Sequence, residues 1–341
     1  MKKLRLWTEQ HRAATAALLV FLPVLCGLCC LCFGRMEITP REVLSCLGDR
    51  IAGRAYPDTR VDSMVFNNRL PRVLLALCVG GGLSAAGAAF QSLFSNPLAT
   101  PDTLGVASGA SFGAALGLLL GMNMIGVQLA ALVCGLGAVG LTFGLSRGKN
   151  STQVTVVLCG VVLSSLFSAL VSLVKYVADV DSQLPAITYW LMGTLSGTGW
   201  KRLAVGLPLL LAGAVLLLLL RWRLNLLTLT DDEAKACGAD ITLLRGVTAL
   251  CAACITASAV SMCGQVGWVG LLVPHICRMA VGSDNSRLIP ASLCVGAGFL
   301  TVVDTLARSA TAAELPISIL TAIIGAPFFV ALLRRTGGWR L

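Results

Sequence analysis

Long runs without a charged residue are the feature that most restricts how this chain can fold. Uncharged, mostly apolar residues fill positions 13–33, 73–101 and 203–220, and only 12% of all residues are charged. A run of about 18 or more such residues is long enough to cross the hydrocarbon core of a bilayer as a helix. In hydrocarbon every backbone polar group needs a partner inside the protein, and the α-helix provides it. The sequence therefore predicts an all-α integral membrane protein.

Glycines, prolines and charge clusters divide the chain into ten predicted transmembrane helices. No stretch between them is long enough to form a second core, so residues 1–341 are interpreted as one transmembrane domain. An even number of crossings puts both termini on one side, and the Lys and Arg residues near both ends assign that side to the cytoplasm. The first run is too long for a signal peptide and is interpreted as a retained helix. The predicted helices cover residues 13–33, 71–93, 104–122, 125–146, 153–175, 203–220, 246–264, 266–282, 290–307 and 316–334.

The segment 35–68 between the first two predicted helices is predicted to be an external loop. Seven arginines lie between Arg35 and Arg72, which is too basic for a typical external loop. This charge indicates a partner with an acidic surface. The rest of the +10 net charge is expected in cytoplasmic loops and at positions that contact anionic lipid. Because no basic run is interleaved with aromatic residues, nucleic acid is not expected as a partner.

Two further segments are not simple membrane crossings. Residues 183–197 are apolar and aromatic but short, which is typical of a helix lying at the outer membrane interface. Residues 228–245 separate two long apolar helices and contain a short acidic stretch. There Thr230 is predicted as the N-cap and Gly238 as the C-cap of a short helix that projects into the cytoplasm.

Glycines recur at a spacing of four in the third predicted helix. This spacing places them on one face and predicts close packing against a neighbouring helix. Residues 109–113 formally match the G-x-S-x-G motif of esterases, but that motif needs a strand-to-helix turn and a partner His and Asp. We therefore do not assign a nucleophile. The glycines are Gly105, Gly109, Gly113, Gly117 and Gly121.

The cysteines, histidines and prolines are interpreted structurally. The chain has fourteen cysteines, but the closely spaced ones lie in apolar runs without nearby His or carboxylate ligands, so no metal site is predicted. His275 is interpreted as a hydrogen-bonded structural residue at a helix break. Pro274, Pro316 and Pro327 are expected where helices are broken, capped or packed on neighbours, and the breaks are expected to form part of a pathway.

If the chain takes part in active transport, the energy must come from a partner subunit or from an ion gradient. The chain has no Walker A sequence and no catalytic constellation, so it is predicted not to be an enzyme and to bind no cofactor. Asp304 and Glu314 are the only candidate carboxylates inside the membrane, and Asp304 is expected to pair with Arg308 at i+4. An ion-coupled secondary transporter is the alternative function, although it should show several buried carboxylates. A membrane scaffold or receptor without transport would need no broken helices.

Several motifs together resemble the permease subunits of ATP-binding-cassette importers for iron–siderophores, haem and vitamin B12, the FecCD-type family. They span about residues 66 to 335 in the family's order. The matching motifs are Arg69-Leu-Pro-Arg72, Asn96-Pro-Leu-Ala with Leu104-Gly-Val-Ala-Ser-Gly-Ala, Tyr189-Trp-Leu-Met-Gly193, Gly270-Leu-Leu-Val-Pro-His-Ile, Gly282-Ser-Asp, and Glu314-Leu-Pro through Gly325-Ala-Pro-Phe.

The resemblance implies the type II ABC importer architecture in a bacterial cytoplasmic (inner) membrane, with ten transmembrane helices in each permease subunit. The implied partners are a second copy of the permease, two cytoplasmic ATPase subunits that bind ATP and magnesium, and an external solute-binding protein. The implied cargo is a metal chelate that crosses the bilayer by alternating access. Iron–siderophore is the first expectation, followed by haem and then cobalamin.

The resemblance also implies roles for individual residues. Thr230 stands where the family usually has Gly, Cys237 where it has Leu, and Thr100 where it has an acid after Asn-Pro-Leu-Ala. Docking of the binding protein is expected at Arg69, Arg72 and Arg308, which should meet on one exposed external surface. Contact with the ATPase is expected at Leu229, Asp231, Asp232, Glu233, Ala234 and Gly238, and the cytoplasmic gate at Asn96, Leu98, Ser151 and Thr152.

Overall fold

A computed structural model describes residues 10–34, 36, 38–54, 56–148, 152–311 and 314–335, and every regular element in those ranges is helical. The first half contains α1 (Arg12–Cys32), α2 (Pro40–Ile51), α3 (Thr59–Ser63), α4 (Leu70–Leu93), α5 (Val106–Leu119), α6 (Met124–Leu145) and α7 (Gln153–Val177). The second half contains α8 (Gln183–Leu191), α9 (Trp200–Leu220), α10 (Asp231–Ala236), α11 (Ile241–Cys263), α12 (Val269–Val281), α13 (Asn285–Ser309) and α14 (Ile317–Arg335).

All ten predicted membrane helices are present, so the predicted fold class is confirmed. Within the described ranges, seven helical stretches are long and apolar enough to cross a bilayer, and they contain α1, α4, α6, α7, α9, α11 and α13. The helices α5, α12 and α14 are shorter apolar helices. Side-chain caps fix several starts: Asn123 accepts from the Gly126 amide at 2.8 Å before α6, and Asp240 accepts from the Leu243 amide at 3.0 Å before α11.

Helices α4 and α11 form the centre of the bundle. Helix α4 packs against α9, α11, α12 and α13. In the helical stretch that contains it, 83% of an apolar segment of membrane-spanning length is buried inside the protein. Its run of Gly and Ala lets neighbouring backbones approach, because a Cβ at Gly81 would lie 2.9 Å from the Leu293 carbonyl oxygen of α13. In α1 and α7 only 17% of the apolar segment of the same length is buried, so these two helices lie at the periphery of the bundle.

The predicted glycine face of α5 packs against α6. A Cβ at Gly109 would lie 2.6 Å from the Ala138 Cβ, and a Cβ at Gly113 would collide with the backbone carbonyl of Ala130. Gly105 and Gly121, by contrast, flank the helix with φ values of +79° and +67°. The packing face therefore comprises the inner glycines, whereas the two outer ones form the positive-φ turns at the helix ends.

The segment predicted as a loop over 35–68 is largely structured. Helix α2 begins with a capping box in which Thr39 and Glu42 bond reciprocally, and α3 continues through a π-helical turn, Met64–Arg69, into α4. Sequence analysis missed these helices, although Thr39-Pro-Arg-Glu42 carries the capping-box pattern with Pro at the first helical position. Their apolar faces form a small core with the end of α1, comprising Cys30, Leu31, Ile38, Val43, Cys46, Val61, Val65 and Val73.

The interruption between α11 and α12 lies at Gly264–Trp268, before Pro274. Gly264 has a φ of +73° and Trp268 a φ of +69°. The expected breaks at Pro274 and Pro327 are wrong, because both prolines lie inside continuous helices. Pro316 fits its prediction, because α14 begins at the next residue. Neighbouring backbone, rather than proline, supports the break: the Thr194 amide donates to the Cys263 carbonyl at 2.8 Å.

Candidate functional site

The three arginines predicted to meet do gather at one end of the bundle. Arg69 ends the π-helical turn, Arg72 lies in the first turn of α4, and Arg308 lies in the last turn of α13. All three line one cavity of about 290 Å³, together with Glu314. The packing of α4 against α13 brings these positions together across more than 230 residues of sequence.

The expectation that these arginines are exposed is wrong. Arg69 is 4% exposed and Arg308 is 6% exposed, while the Arg72 side chain is 12% exposed. Buried guanidinium groups need partners, since a charge without them is costly in a low dielectric. The contacts of the three side chains therefore decide what the cluster can do.

Arg72 bridges two carboxylates. Its Nη2 lies 2.8 Å from Asp304 Oδ1 and its Nε lies 3.0 Å from Oδ2, while Nη1 donates to Glu314 at 3.0 Å. The predicted Asp304–Arg308 pair is thus wrong: Asp304 bonds across to α4 rather than along its own helix. The edge formed by Nε and Nη2 binds Asp304, whereas Nη1 alone contacts both oxygens of Glu314.

Arg69 and Arg308 donate to the carbonyl groups that end α1. Arg69 Nη1 lies 2.6 Å from the Leu31 oxygen and 3.1 Å from the Cys32 oxygen, and Arg308 Nη2 donates to the Cys30 oxygen. The last carbonyls of a helix have no partner within it and carry a partial negative charge. The two cations therefore fasten the end of α1 to the start of α4 and the end of α13.

A second cavity, of about 450 Å³, lies beside the break between α11 and α12. Gln265 of the break lines it and donates through Nε2 to the Ser111 hydroxyl of α5 at 2.9 Å. Ser111 is therefore a buried helical residue and not a nucleophile on a strand-to-helix turn. Trp268 also lines the cavity and packs against Gly325 of α14, where a Cβ would lie 2.8 Å from the indole ring.

Asp102 brings a carboxyl group to this second cavity. It lies in the short 3-10 helix Pro101–Leu104 between α4 and α5. Asp102 is exposed in the single chain, and desolvation of its carboxyl group by the surrounding protein raises its pKa to about 6. Thr100, which replaces the family's acid, therefore has a carboxyl neighbour two residues later.

Three of the residues expected at the gate, Asn96, Leu98 and Thr152, are exposed. Asn96 Oδ1 accepts from the Leu98 amide at 2.9 Å, which closes the turn after α4, and Leu98 is 51% exposed. Thr152 caps α7 by accepting from the Thr155 amide at 3.3 Å. Ser151 lies outside the described residues. The gating role of all four residues stays a prediction.

The acidic segment forms a short capped helix as predicted. The Thr230 hydroxyl and amide both donate to Glu233 Oε2, at 2.8 and 3.0 Å, and Gly238 ends the segment with a φ of +74°. The donation from the Thr230 amide, followed by that from its hydroxyl, lowers the pKa of Glu233. Ala234 is 1% exposed and anchors the helix, whereas Asp232 and Glu233 face solvent.

Asn225, in the 3-10 helix Arg223–Thr228 that precedes α10, bonds to the start of α13, a contact that sequence analysis missed. Its Nδ2 donates to Asp284 Oδ1 at 2.8 Å, and its Oδ1 accepts from the Asn285 amide at 2.8 Å. Asp284 caps α13, whose other end carries Arg308. The acidic segment and the arginine cluster are therefore at opposite ends of one helix of 25 residues, which spans roughly 37 Å.

The described residues include no group of three or more His, Cys, Asp or Glu side chains that could hold a metal ion. His275 packs edge-on against Phe329, with ring centroids 6.1 Å apart. The fourteen cysteines are all free thiols. His275 lies inside the continuous helix α12, so the helix break predicted at this residue is wrong. The structural interpretation of the cysteines stays a prediction.

Comparison with known proteins adds function to this geometry. The model of the FecCD transport family matches residues 20–335. The molybdate import system permease protein MolB of Haemophilus influenzae is 43% identical over 78% of this chain and 79% of its own length. The hemin transport system permease protein HmuU of Yersinia pestis is 36% identical over 79% and 82%. A solved inward-facing structure assigned to a metal-chelate type ABC transporter superposes with a TM-score of 0.86, at 37% identity over 95% of this chain and 99% of that one.

Proposed function

Because the chain belongs to the FecCD transport family and is an ABC importer permease, we propose that it forms the membrane pathway of an importer whose ATP is hydrolysed by separate subunits. Helix α10 is the observation that carries this proposal. It is short, capped at both ends and anchored by Ala234, and it presents acidic side chains to solvent between two long apolar helices. A projection of this kind suits a contact with a protein outside the membrane.

The proposed assembly contains two copies of this permease, two ATPase subunits on the side of α10, and one solute-binding protein on the side of the arginine cluster. The opposite placement of the two regions on α13 supports this arrangement. It would place α10 and both termini in the cytoplasm of a bacterium, with the arginine cluster outside the inner membrane.

Docking of the binding protein is proposed at the cavity that Arg69, Arg72 and Arg308 line. The buried contacts of the arginines hold the shape of the cavity, and an acidic side chain of the partner would enter its mouth. Asn68 is exposed and lines the same cavity, so Asn68→Trp should block entry without touching the ion pairs. Unchanged affinity of the binding protein for this variant would contradict docking here.

The proposed cargo remains a metal chelate, with iron–siderophore ahead of haem and cobalamin. A relative named for molybdate import adds a small oxyanion as a rival cargo. Secondary transport is not favoured, because Arg72 pairs with both Asp304 and Glu314. This leaves no free pair of buried carboxylates at that site for an ion relay.

Reconstitution tests the proposal. The permease is purified with its ATPase and binding protein, placed in liposomes and assayed for uptake of ferric siderophore, haem, cobalamin and molybdate. We expect uptake of one cargo only when ATP and all partners are present. Uptake by the permease alone, driven by a proton or sodium gradient, would overturn the importer assignment.

A further inference from the structure

An apolar groove with a cationic rim lies at the end of the bundle that carries the acidic segment. It has a volume of about 280 Å³ and runs between α1, the residue after α9 and the start of α13. Leu19 and Val20 form one wall, Pro290 and Cys294 line the other, and Arg221 and Arg287 stand at the polar rim. Only 17% of the apolar 18-residue stretch of α1 is buried, so most of the helix that forms this wall is not covered by the rest of the described chain.

Neither rim arginine has a carboxylate of its own within 4 Å among the described residues. The Arg221 guanidinium lies over the Trp222 ring at 5.6 Å, and its Nε is buried without a hydrogen-bond partner. Arg287 acts electrostatically on Asp284, but that carboxylate already accepts from Asn225 and Ser286. The rim therefore has spare cationic and hydrogen-bonding capacity beside an apolar wall.

We propose that this groove binds an anionic phospholipid, with its phosphate between Arg221 and Arg287 and one acyl chain along Leu19 and Val20. The apolar wall matches hydrocarbon, and basic pockets between transmembrane helices select anionic headgroups. A zwitterionic lipid offers the same phosphate but adds a cation that two guanidinium groups repel. Bound lipid would join α1 to the start of α13, where Asp284 accepts from Asn225 of the 3-10 helix that precedes α10.

The test uses the complete transporter in detergent, mixed with phosphatidylglycerol or phosphatidylcholine and examined by native mass spectrometry. We expect phosphatidylglycerol to be retained at about one molecule per permease copy and phosphatidylcholine to be lost. Arg221→Gln with Arg287→Gln should reduce retention about tenfold or more, since each cation near a headgroup contributes on the order of 1 kcal/mol. Arg147→Gln with Arg223→Gln removes the same charge from exposed positions outside the groove and should have no effect.

A second variant separates loss of binding from loss of folding. Val20→Trp fills the groove, keeps both arginines and changes a side chain that is already 61% exposed, so it should also release phosphatidylglycerol. Millimolar inorganic phosphate should not displace the lipid, because phosphate gains nothing from the apolar wall. Equal retention of both lipids, or wild-type retention in the double glutamine and Val20→Trp variants, would overturn the proposal.

Discussion

Arg72 shows how one side chain sets the electrostatics of a region. Its guanidinium binds both Asp304 and Glu314, the two carboxylates that the sequence offered for ion coupling. The two pairs differ in burial, because the Asp304 side chain is 2% exposed and that of Glu314 is 22% exposed. Burial should therefore decide how much each pair matters to stability.

Removing the buried carboxylate of Asp304 should lower the stability more than removing that of Glu314, which is less buried. Asp304→Asn is expected to lower the free energy of unfolding by about 3 kcal/mol, because it breaks a buried bidentate pair. Glu314→Gln should cost no more than about 1 kcal/mol, because solvent screens that pair. Chemical unfolding of the purified permease measures both values. Equal losses would show that burial does not distinguish the two pairs.

Asp102 should make stability depend on pH. Its pKa is raised from 3.8 to about 6 in the folded protein, so the folded state holds the proton more tightly than the unfolded chain does. The resulting stabilisation is complete below about pH 3.8 and is lost as pH rises through 6. Asp102→Asn cannot ionise, so its Tm minus that of the wild type should increase between pH 4 and pH 7.

Glu233 is a control for Asp102, because its pKa is shifted in the opposite direction. The donations from Thr230 lower its pKa, so its contribution is present at neutral pH and is lost in acid. The Tm of Glu233→Gln should therefore fall below that of the wild type at pH 7 and approach it as the pH is lowered. If the difference in Tm between Asp102→Asn and the wild type does not change with pH, the raised pKa of Asp102 is contradicted.

Among the helices, α5 and α6 depend on close backbone approach. Gly113→Leu should impair assembly, because its Cβ already meets the Ala130 backbone and overpacking typically costs about 1–3 kcal/mol. Gly117→Leu should be milder, since its Cβ would lie 3.2 Å from the Val127 Cα. Gly137→Leu is the matched control, as nothing lies within 4 Å of a Cβ there. Equal thermal stability of the three variants would show that the α5 face is not packed.

Helix α10 should couple the permease to its ATPase. Asp231→Lys with Glu233→Lys reverses the charge of the helix and should uncouple or dissociate the ATPase while leaving the permease in the membrane. Co-purification and substrate-stimulated ATP hydrolysis measure this. Asp181→Lys, an exposed change between α7 and α8, should preserve both readouts. Normal stimulated hydrolysis in the double variant would refute the coupling role.

In the molecule as a whole, two buried arginines join the peripheral α1 to the central bundle. Arg69→Met with Arg308→Met should loosen the end of α1, because its last carbonyls lose their charged donors. Hydrogen exchange should then rise over residues 28–33 while α4 and α11 stay protected. Arg41→Met with Arg60→Met, both exposed in the wild type, should leave exchange in α1 unchanged. Unaltered exchange in the first double variant would exclude this attachment.

The sequence by itself determined that the chain is an all-helical membrane protein with ten membrane helices, because the lengths of apolar runs and their polar interruptions are local properties. It also determined the caps of α10, since Thr230 and Gly238 act on backbone groups within a few residues. The meeting of Arg69, Arg72 and Arg308 was expected only from the family resemblance.

Only the tertiary structure decided the burial of those arginines, the partner of Asp304 and the position of the break at Gly264–Trp268. Each depends on which helices pack together: Arg72 reaches Asp304 across 232 residues, and backbone contacts from distant turns hold the break open. Local spacing favoured an i, i+4 ion pair and breaks at prolines. Packing of α4 against α13 instead gave Asp304 a closer cation, and buried contacts held Pro274 inside a continuous helix.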